Sequence, residues 1–409
     1  MKRNNVVSFA GAALLLGLLL SGCSMDPTES SYFAGGNGTM ADPYQIATAE
    51  QFDAIHGFKD KHYKLVADID LSAYADWAPI GTFGAYAAVT EADNPNLHEA
   101  FTGSLDGNGH TISDLTIYEN GDMLHDYVGT GLFGCISNAG AQPAVQNLTL
   151  TNANVSGDNA VGAVVGYLCE GNELKNISLV GENQIAGTMC VGGIVGGNNG
   201  GTLDGCSAEA TVVLSSTGKK GETENIVLSG TAQCSGILIG GAFGGEIKNC
   251  SAQGTLLAEG EEIIGIGGLT GSLQNVSACT NCTVTATIQL GKAAHAVGGL
   301  AGFGGTFTEN APLKIKNCQV DVQILGQPDS THIGGIMGSG LYMNSTQAES
   351  AFMIADCSVS GAIKGIPTAG TIAGRAEGST EQTNHVDITI DGKAGSEIGI
   401  ANTLIESLE

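Results

Sequence analysis

The sequence predicts an all-β chain coiled as a parallel β-helix, a solenoid entered through a short N-terminal capping helix. Three observations predict it. A glycine phrase recurs as VGAVVG (161–166), VGGIVG (191–196), IGGLTG (266–271), VGGLAG (297–302) and IGGIMG (333–338), with a variant GGAFG at 240–244 and a degraded copy AGTIAG at 369–374. A second phrase follows all but the degraded copy: KNIS (175–178), DGCS (204–207), KNCS (248–251), TNCT (280–283), KNCQ (316–319) and ADCS (355–358), with VQNLT (145–149) as an earlier relative. Between them run alternating stretches such as AEATVVL (208–214), TVTATIQL (283–290) and CQVDVQIL (318–325), rich in β-branched residues.

Self-similarity at such a period marks an array of stacked units. The glycines that open the first phrase (Gly162, Gly192, Gly240, Gly267, Gly298, Gly334, Gly370) lie 30, 48, 27, 31, 36 and 36 residues apart. Apolar runs of four to six residues bounded by Gly, Asn and Asp suit short strands and turns, and period-2 alternation lets inward Val and Ile stack on their counterparts one coil away. A coil of about 30 residues holds two or three strands and adds roughly 4.8 Å along the axis. Propeller blades need about 40 to 50 residues, and no leucine spacing or helical pattern supports a horseshoe. Glycines flanking a strand in the first phrase are expected to supply positive φ at tight corners and close backbone approach.

Composition agrees with this class. The chain has 409 residues, 63 of them glycine, without a collagen period, and its 42% hydrophobic content is too high for disorder. All 41 carboxylates lie beyond residue 23, against 13 basic residues there, of which Arg375 is the one arginine. So acidic a chain repels phosphate backbones, which excludes nucleic acid as a partner.

In chain order, residues 1–22 read as an export signal. Lys2 and Arg3 precede an apolar run from Val6 to Leu20, too short for a stable membrane span. The run ends in LSGC (20–23), which resembles the lipobox of bacterial lipoproteins. That resemblance implies cleavage before Cys23, lipid attachment (palmitate-type acyl chains) at Cys23, and a membrane partner through that anchor. No Asp follows Cys23, so the expected address is the bacterial cell surface or outer membrane. Residues 23–34 are expected to form a flexible tether.

Residues 35–134 are read as the N-terminal cap and first coils. Tyr44–Ile46 is an expected strand; Thr48 with Gln51 three residues on is a capping-box signal for a helix over 49–57, with Phe52 and Ile55 on one face closing the end of the solenoid. HYKLVADIDLS (62–72), WAPIG (77–81), FTGSLDGNGHTISDLTI (101–117) and GLFG (131–134) follow. The last three, in this order ahead of seven glycine phrases, resemble the opening of bacterial surface proteins with GLUG repeats, within the pectin-lyase-like group. The resemblance covers roughly residues 35 to 375 and implies a right-handed β-helix. The repeat array is assigned to 135–380 and a C-terminal cap or tail to 381–409.

Candidate site residues are few. Cys206, Cys250, Cys282, Cys318 and Cys357 share one place in the second phrase, where Leu148 and Ile177 stand in earlier units, so they are expected to form an inward ladder of free thiols. Cys135, Cys169, Cys190, Cys234 and Cys279 stand off this ladder and are expected to include at most one bridge, whose pairing the sequence does not give. Cys279 and Cys282 form a CxxC, but no second pair completes a metal or redox site in the sequence. Asp68, Asp70 and Asp106 are candidate hydrolase carboxylates, Asp68 and Asp70 also candidate calcium ligands; Asp106 is equally explained as a turn residue before Gly107. A lyase would need cations over a uronate, and only Arg375 and scattered lysines are at hand. Some large IgA-cleaving peptidases also carry GLUG repeats beside an HExxH module; His98-Glu99 here lacks the second histidine.

Distances from the opening glycine to the thiol position lengthen toward the C-terminus, which predicts loops growing from one corner. The longest, SGLYMNSTQAESAFM (339–353), carries Tyr342 and Asn344 as the expected ligand-binding pair. A second insertion lies at 215–231. The expected function is a cell-surface lipoprotein displaying a β-helix for adhesion or binding of a glycan or protein ligand, without catalysis or a cofactor beyond calcium. A polysaccharide-degrading enzyme using the carboxylates and a structural envelope spacer are the alternatives.

Overall fold

The computed structural model describes residues 29–81, 100–118, 129–137, 143–216, 234–260, 263–305, 313–340, 352–375, 379–380 and 383–395. The chain winds as a parallel β-helix. One long face carries two strands per coil, for example Ala278–Thr280 and Thr283–Leu290, and two shorter faces form six- and eight-stranded sheets among the described residues. Register is kept position by position: Ser207 pairs with Ser251, Ser251 with Thr283, Thr283 with Gln319, and Gln319 with Ser358. Strand pairings between coils are parallel, as in a solenoid that advances one strand spacing per turn. No helix among the described residues is long and apolar enough to cross a membrane.

The inward residues of every coil merge into one apolar column. Val212, Leu256, Ile288 and Ile324 stack on the long face, all fully buried, as alternation predicts. Each such side chain contributes roughly 1.5–3 kcal/mol by leaving water. The five ladder cysteines are inward and at most 2% exposed. Each thiol donates to a backbone carbonyl two residues earlier, as Cys282 does to Thr280 (3.3 Å) and Cys357 to Ala355 (3.2 Å).

The N-terminal cap is short. Thr48 Oγ1 accepts the Gln51 amide at 3.3 Å, and Gln51 Oε1 accepts from the amide of Ala47, one residue before the cap. The helix spans Ala49–Asp53 and tightens into a 3₁₀ turn over Ala54–Gly57. Phe52 and Ile55 are fully buried, with Phe52 beside Trp77 at a ring-centroid distance of 5.7 Å. Two boundaries differ from expectation. The tether ends sooner, because Glu29–Tyr32 forms a 3₁₀ turn and Phe33 stacks on Tyr44 at 4.4 Å. At the other end, His385–Ile390 pairs in parallel with Ser358–Lys364, so it is another coil; an antiparallel strand, Lys393–Ala394, follows it.

The glycine phrase is a corner, not a strand. In IGGLTG (266–271), Ile266 and Gly267 end one short strand and Thr270 and Gly271 begin the next. Of the two roles expected of its paired glycines, positive φ is not used and close backbone approach is. A Cβ at Gly299 would lie 2.0 Å from the Gly335 carbonyl oxygen, and one at Gly338 would lie 2.4 Å from the Val297 amide nitrogen. The cause lies one coil back. The residue before five of the copies turns left-handed (Ala160, Cys190, Gly265, Ala296, His332) and backs into the last glycine of the next copy. The variant copy is also re-registered: Val191 pairs with Ser235, Gly192 with Gly236 and Val195 with Ile239, so the copy is SGILIG (235–240) and not GGAFG (240–244).

Left-handed backbone recurs where the thiol ladder begins. Asn147, Asn176, Gly205, Asn249, Asn281, Asn317 and Asp356, each one residue before the ladder place, have φ between 52° and 68°. Asparagine adopts this region more readily than most residues. Their amides link coil to coil: Asn317 Nδ2 donates to Asn281 Oδ1 (3.2 Å), Asn281 to Asn249 (3.1 Å), and Asn249 to Asp204 Oδ1 (2.7 Å). A second run goes from Asn176 to Asn147 (3.1 Å) and on to Asp106 Oδ1 (3.1 Å).

Two outcomes follow for stability. Asn281→Leu loses both amide bonds and strains the turn, and is expected to cost about 2–3 kcal/mol in denaturant titration; Asn281→Gly, which relaxes φ, should lose less. Gly338→Ala is expected to cost at least about 2 kcal/mol by backbone overpacking. Gly57→Ala, whose Cβ would meet nothing within 4 Å, should stay within about 0.5 kcal/mol of the parent.

Candidate ligand-binding face

The carboxylates expected to do chemistry are held in turns. Asp68 Oδ1 accepts the Thr111 amide (2.9 Å) and His110 Nδ1 (3.1 Å), and these bonds, the backbone one first, hold its pKa below the ordinary range. Asp70 Oδ1 accepts the Ser72 amide at 2.8 Å, and hydrogen bonding from Ser72 lowers its pKa too. A glycosidic general acid must stay protonated near neutrality, and neither environment favours that. Asp106 accepts from Asn108 N (2.8 Å), Gln146 Nε2 (3.3 Å) and Asn147 Nδ2 (3.1 Å), so its oxygens terminate the amide run. The arrangement fits the turn role that its sequence context also suggested. Cys23, His98, Glu99, Tyr342 and Asn344 lie outside the described residues, as does most of the 215–231 insertion.

What the structure assembles instead is an extended polar face. Along the long strands the outward positions align in rows that run parallel to the solenoid axis. One row reads Glu209, Gln253, Thr285, Asp321, Ser360, Asp387; a second reads Ser207, Ser251, Thr283, Gln319, Ser358, His385; a third reads Thr211, Thr255, Thr287, Gln323, Ala362, Thr389. Gln253, Thr283, Thr285, Gln319, Asp321 and Gln323 are exposed. Hydroxyl and amide groups dominate, charges are sparse, and neighbouring groups repeat at the strand spacing of about 4.8 Å. Where partners are visible they run between coils, as Ser207 Oγ to Ser178 Oγ (3.1 Å) and Ser360 Oγ to Asp321 Oδ1 (3.2 Å). Such rows offer repeated hydrogen-bonding groups to an extended polar ligand. The signal was present in TVTATIQL, whose outward half is Thr, Thr, Thr, Gln; alternation locates the core, and the complementary half is easily passed over.

The remaining cysteines also gather. Cys135 and Cys169 thiols are 3.8 Å apart, and Cys190 and Cys234 belong to a small apolar cluster with Met189, Ile264, Ala296 and Phe303, separate from the main column. Hydrogen bonding to Cys169 and burial push the Cys135 thiol well above its usual range; Cys250 and burial do the same to Cys206. The CxxC thiols of Cys279 and Cys282 are 3.9 Å apart, and Cys318 joins them with all three sulfurs within 4.8 Å of one another. In sequence that third sulfur is hidden one coil away.

Known proteins resemble the chain in part. Residues 187–213 match the family model of the GLUG motif. Over 176 residues the chain is 35% identical to halomucin of Haloquadratum walsbyi, which covers 42% of this chain and 2% of halomucin. Over 178 residues it is 34% identical to a provisionally named Gly-rich membrane protein of Evansella cellulosilytica, covering 41% of this chain and 18% of that protein. The chain thus spans a small part of the length of these relatives. Among solved structures, a provisionally named immunoglobulin A1 protease from Bacteroides ovatus superimposes with a TM-score of 0.52 at 21% identity, over 88% of this chain and 87% of that one. At that identity the likeness concerns the fold. The chain thus carries the GLUG motif at 187–213, and within this parallel β-helix the glycine phrase it contains marks a corner at which consecutive coils press close together.

Proposed function

We propose that the chain is a cell-surface lipoprotein, anchored through Cys23, that binds a polar polymer along its long face without turning it over. The carrying observation is the set of three in-register outward rows built mainly from Ser, Thr, Gln and Asp. A glycan is the favoured ligand class. Its hydroxyls match side chains that both donate and accept, while the scarcity of basic residues disfavours acidic polymers. Surface placement is supported by the LSGC ending of the apolar leader and by the membrane-protein name of one relative. Adhesion follows from that combination: a rigid scaffold, an anchor at one end, and a repeated face on the flank. The hydrolase alternative is disfavoured by carboxylates held ionised in turns.

Two measurements test the reading. Labelled full-length protein on a glycan array, with and without chelator, is expected to bind a neutral glycan, and Gln319→Lys with Gln323→Lys should weaken that binding at least about tenfold, about 1.4 kcal/mol. Equal binding by the doubly substituted protein would remove the face from the account. Incubation with a polysaccharide panel is expected to yield no cleavage. Turnover lost in Asp106→Asn, which keeps an acceptor for Asn147, would instead establish the enzyme.

A further inference from the structure

The inner row three residues before the thiol ladder reads Leu174, Leu203, Ile247, Cys279, Ile315, Ile354 along the axis. Five of the six are bulky aliphatics. Cys279 alone is small and bears a soft ligand atom. It faces the ladder across the left-handed corner at Asn281 (φ 56°), so its thiol meets that of Cys282 at 3.9 Å. Cys318, the next rung, follows from the register Thr283↔Gln319 and points its thiol toward the Cys279 carbonyl at 3.6 Å. All three side chains are fully buried.

We propose that Cys279, Cys282 and Cys318 form a trigonal site for a thiophilic monovalent d10 cation of the Cu(I) type. An ion about 2.3 Å from each of three sulfurs in one plane sets those sulfurs about 4.0 Å apart. The observed 3.9 Å pair and the 4.8 Å limit on the remaining separations require only side-chain adjustments. At this one coil the row's Ile or Leu is replaced by a smaller side chain whose sulfur faces the ladder. Thiolate and thioether ligands select Cu(I), and a dry three-sulfur pocket suits it better than Zn(II), which takes a fourth ligand. Binding is balanced by proton release: two thiols give up their protons to solvent, the third stays neutral, and ion plus ligands retain a single negative charge in the core. Because no sulfur reaches water, the ion enters while the coils close, and the folded protein holds it against chelators.

The test is metal loading during refolding. Full-length protein is unfolded, reduced and refolded without oxygen in the presence of Cu(I) or of Zn(II), then freed of excess metal. Elemental analysis and ultraviolet sulfur-to-metal charge transfer should show one Cu(I) per chain. Cys279→Ile, which restores the aliphatic row and so keeps the fold, should reduce retained copper at least about tenfold, as should Cys318→Ser; Cys206→Ala, outside the cluster, should retain it. Refolded wild type without copper, equal copper in Cys279→Ile, retention of zinc in preference to copper, or a Cys279–Cys282 disulfide in the native protein would each overturn the assignment.

Discussion

The parallel hydrogen-bonded register between coils is the constraint on which everything else rests. Once Ser251 is bonded opposite Thr283 and Thr283 opposite Gln319, every position of a coil is stacked on its own equivalents. A repeat then faces a choice at each place that an ordinary globular chain never meets, since whatever stands there will be multiplied along the axis. Apolar residues make a column, amides make a chain of hydrogen bonds, thiols make a row of sulfurs, and hydroxyls make a surface. Charges are poorly suited to such stacking because like groups would face each other at strand spacing. The exposed rows accordingly alternate Glu209, Gln253, Thr285, Asp321 and Ser360 rather than repeating one acid.

Much of the fold was legible because the same register writes itself into the sequence. The thiol ladder was readable from the substitution of Cys by Leu148 and Ile177, which marks an apolar place, and all of its members are buried. The helix over Ala49–Asp53 was readable from Thr48 and Gln51, although the glutamine reaches Ala47. Two features were misread for a common reason. The glycine phrase was taken for a strand, and the copy near residue 240 was placed at its second glycine pair, because glycine content alone does not say which glycine touches which neighbour. That depends on the left-handed turn at Cys190 or Ala296, which carries little compositional signature.

Site chemistry was harder to read than architecture. Asp68, Asp70 and Asp106 drew attention as carboxylates, yet their oxygens serve amides of Thr111, Ser72 and Asn108. The outward rows were hidden by their ordinariness, since Ser, Thr and Gln on a strand look like solvated filler until register aligns them. The CxxC at Cys279 lacked a partner in the linear sequence, and Cys318 becomes its neighbour only after a full coil is wound.

The asparagine rows carry an electrostatic consequence. Every amide in them donates toward the N-terminal end, so the side-chain dipoles point one way and add, as peptide dipoles do in an α-helix. The positive end of each run would be uncompensated if another amide simply followed. It meets a carboxylate instead, Asp106 below Asn147 and Asp204 below Asn249. Gly205, which interrupts the rows between Asn176 and Asn249, divides one long dipole into two shorter ones, each ending on an anion. These two acids are thereby electrostatic terminators, placed where the polarisation of a stacked amide column converges.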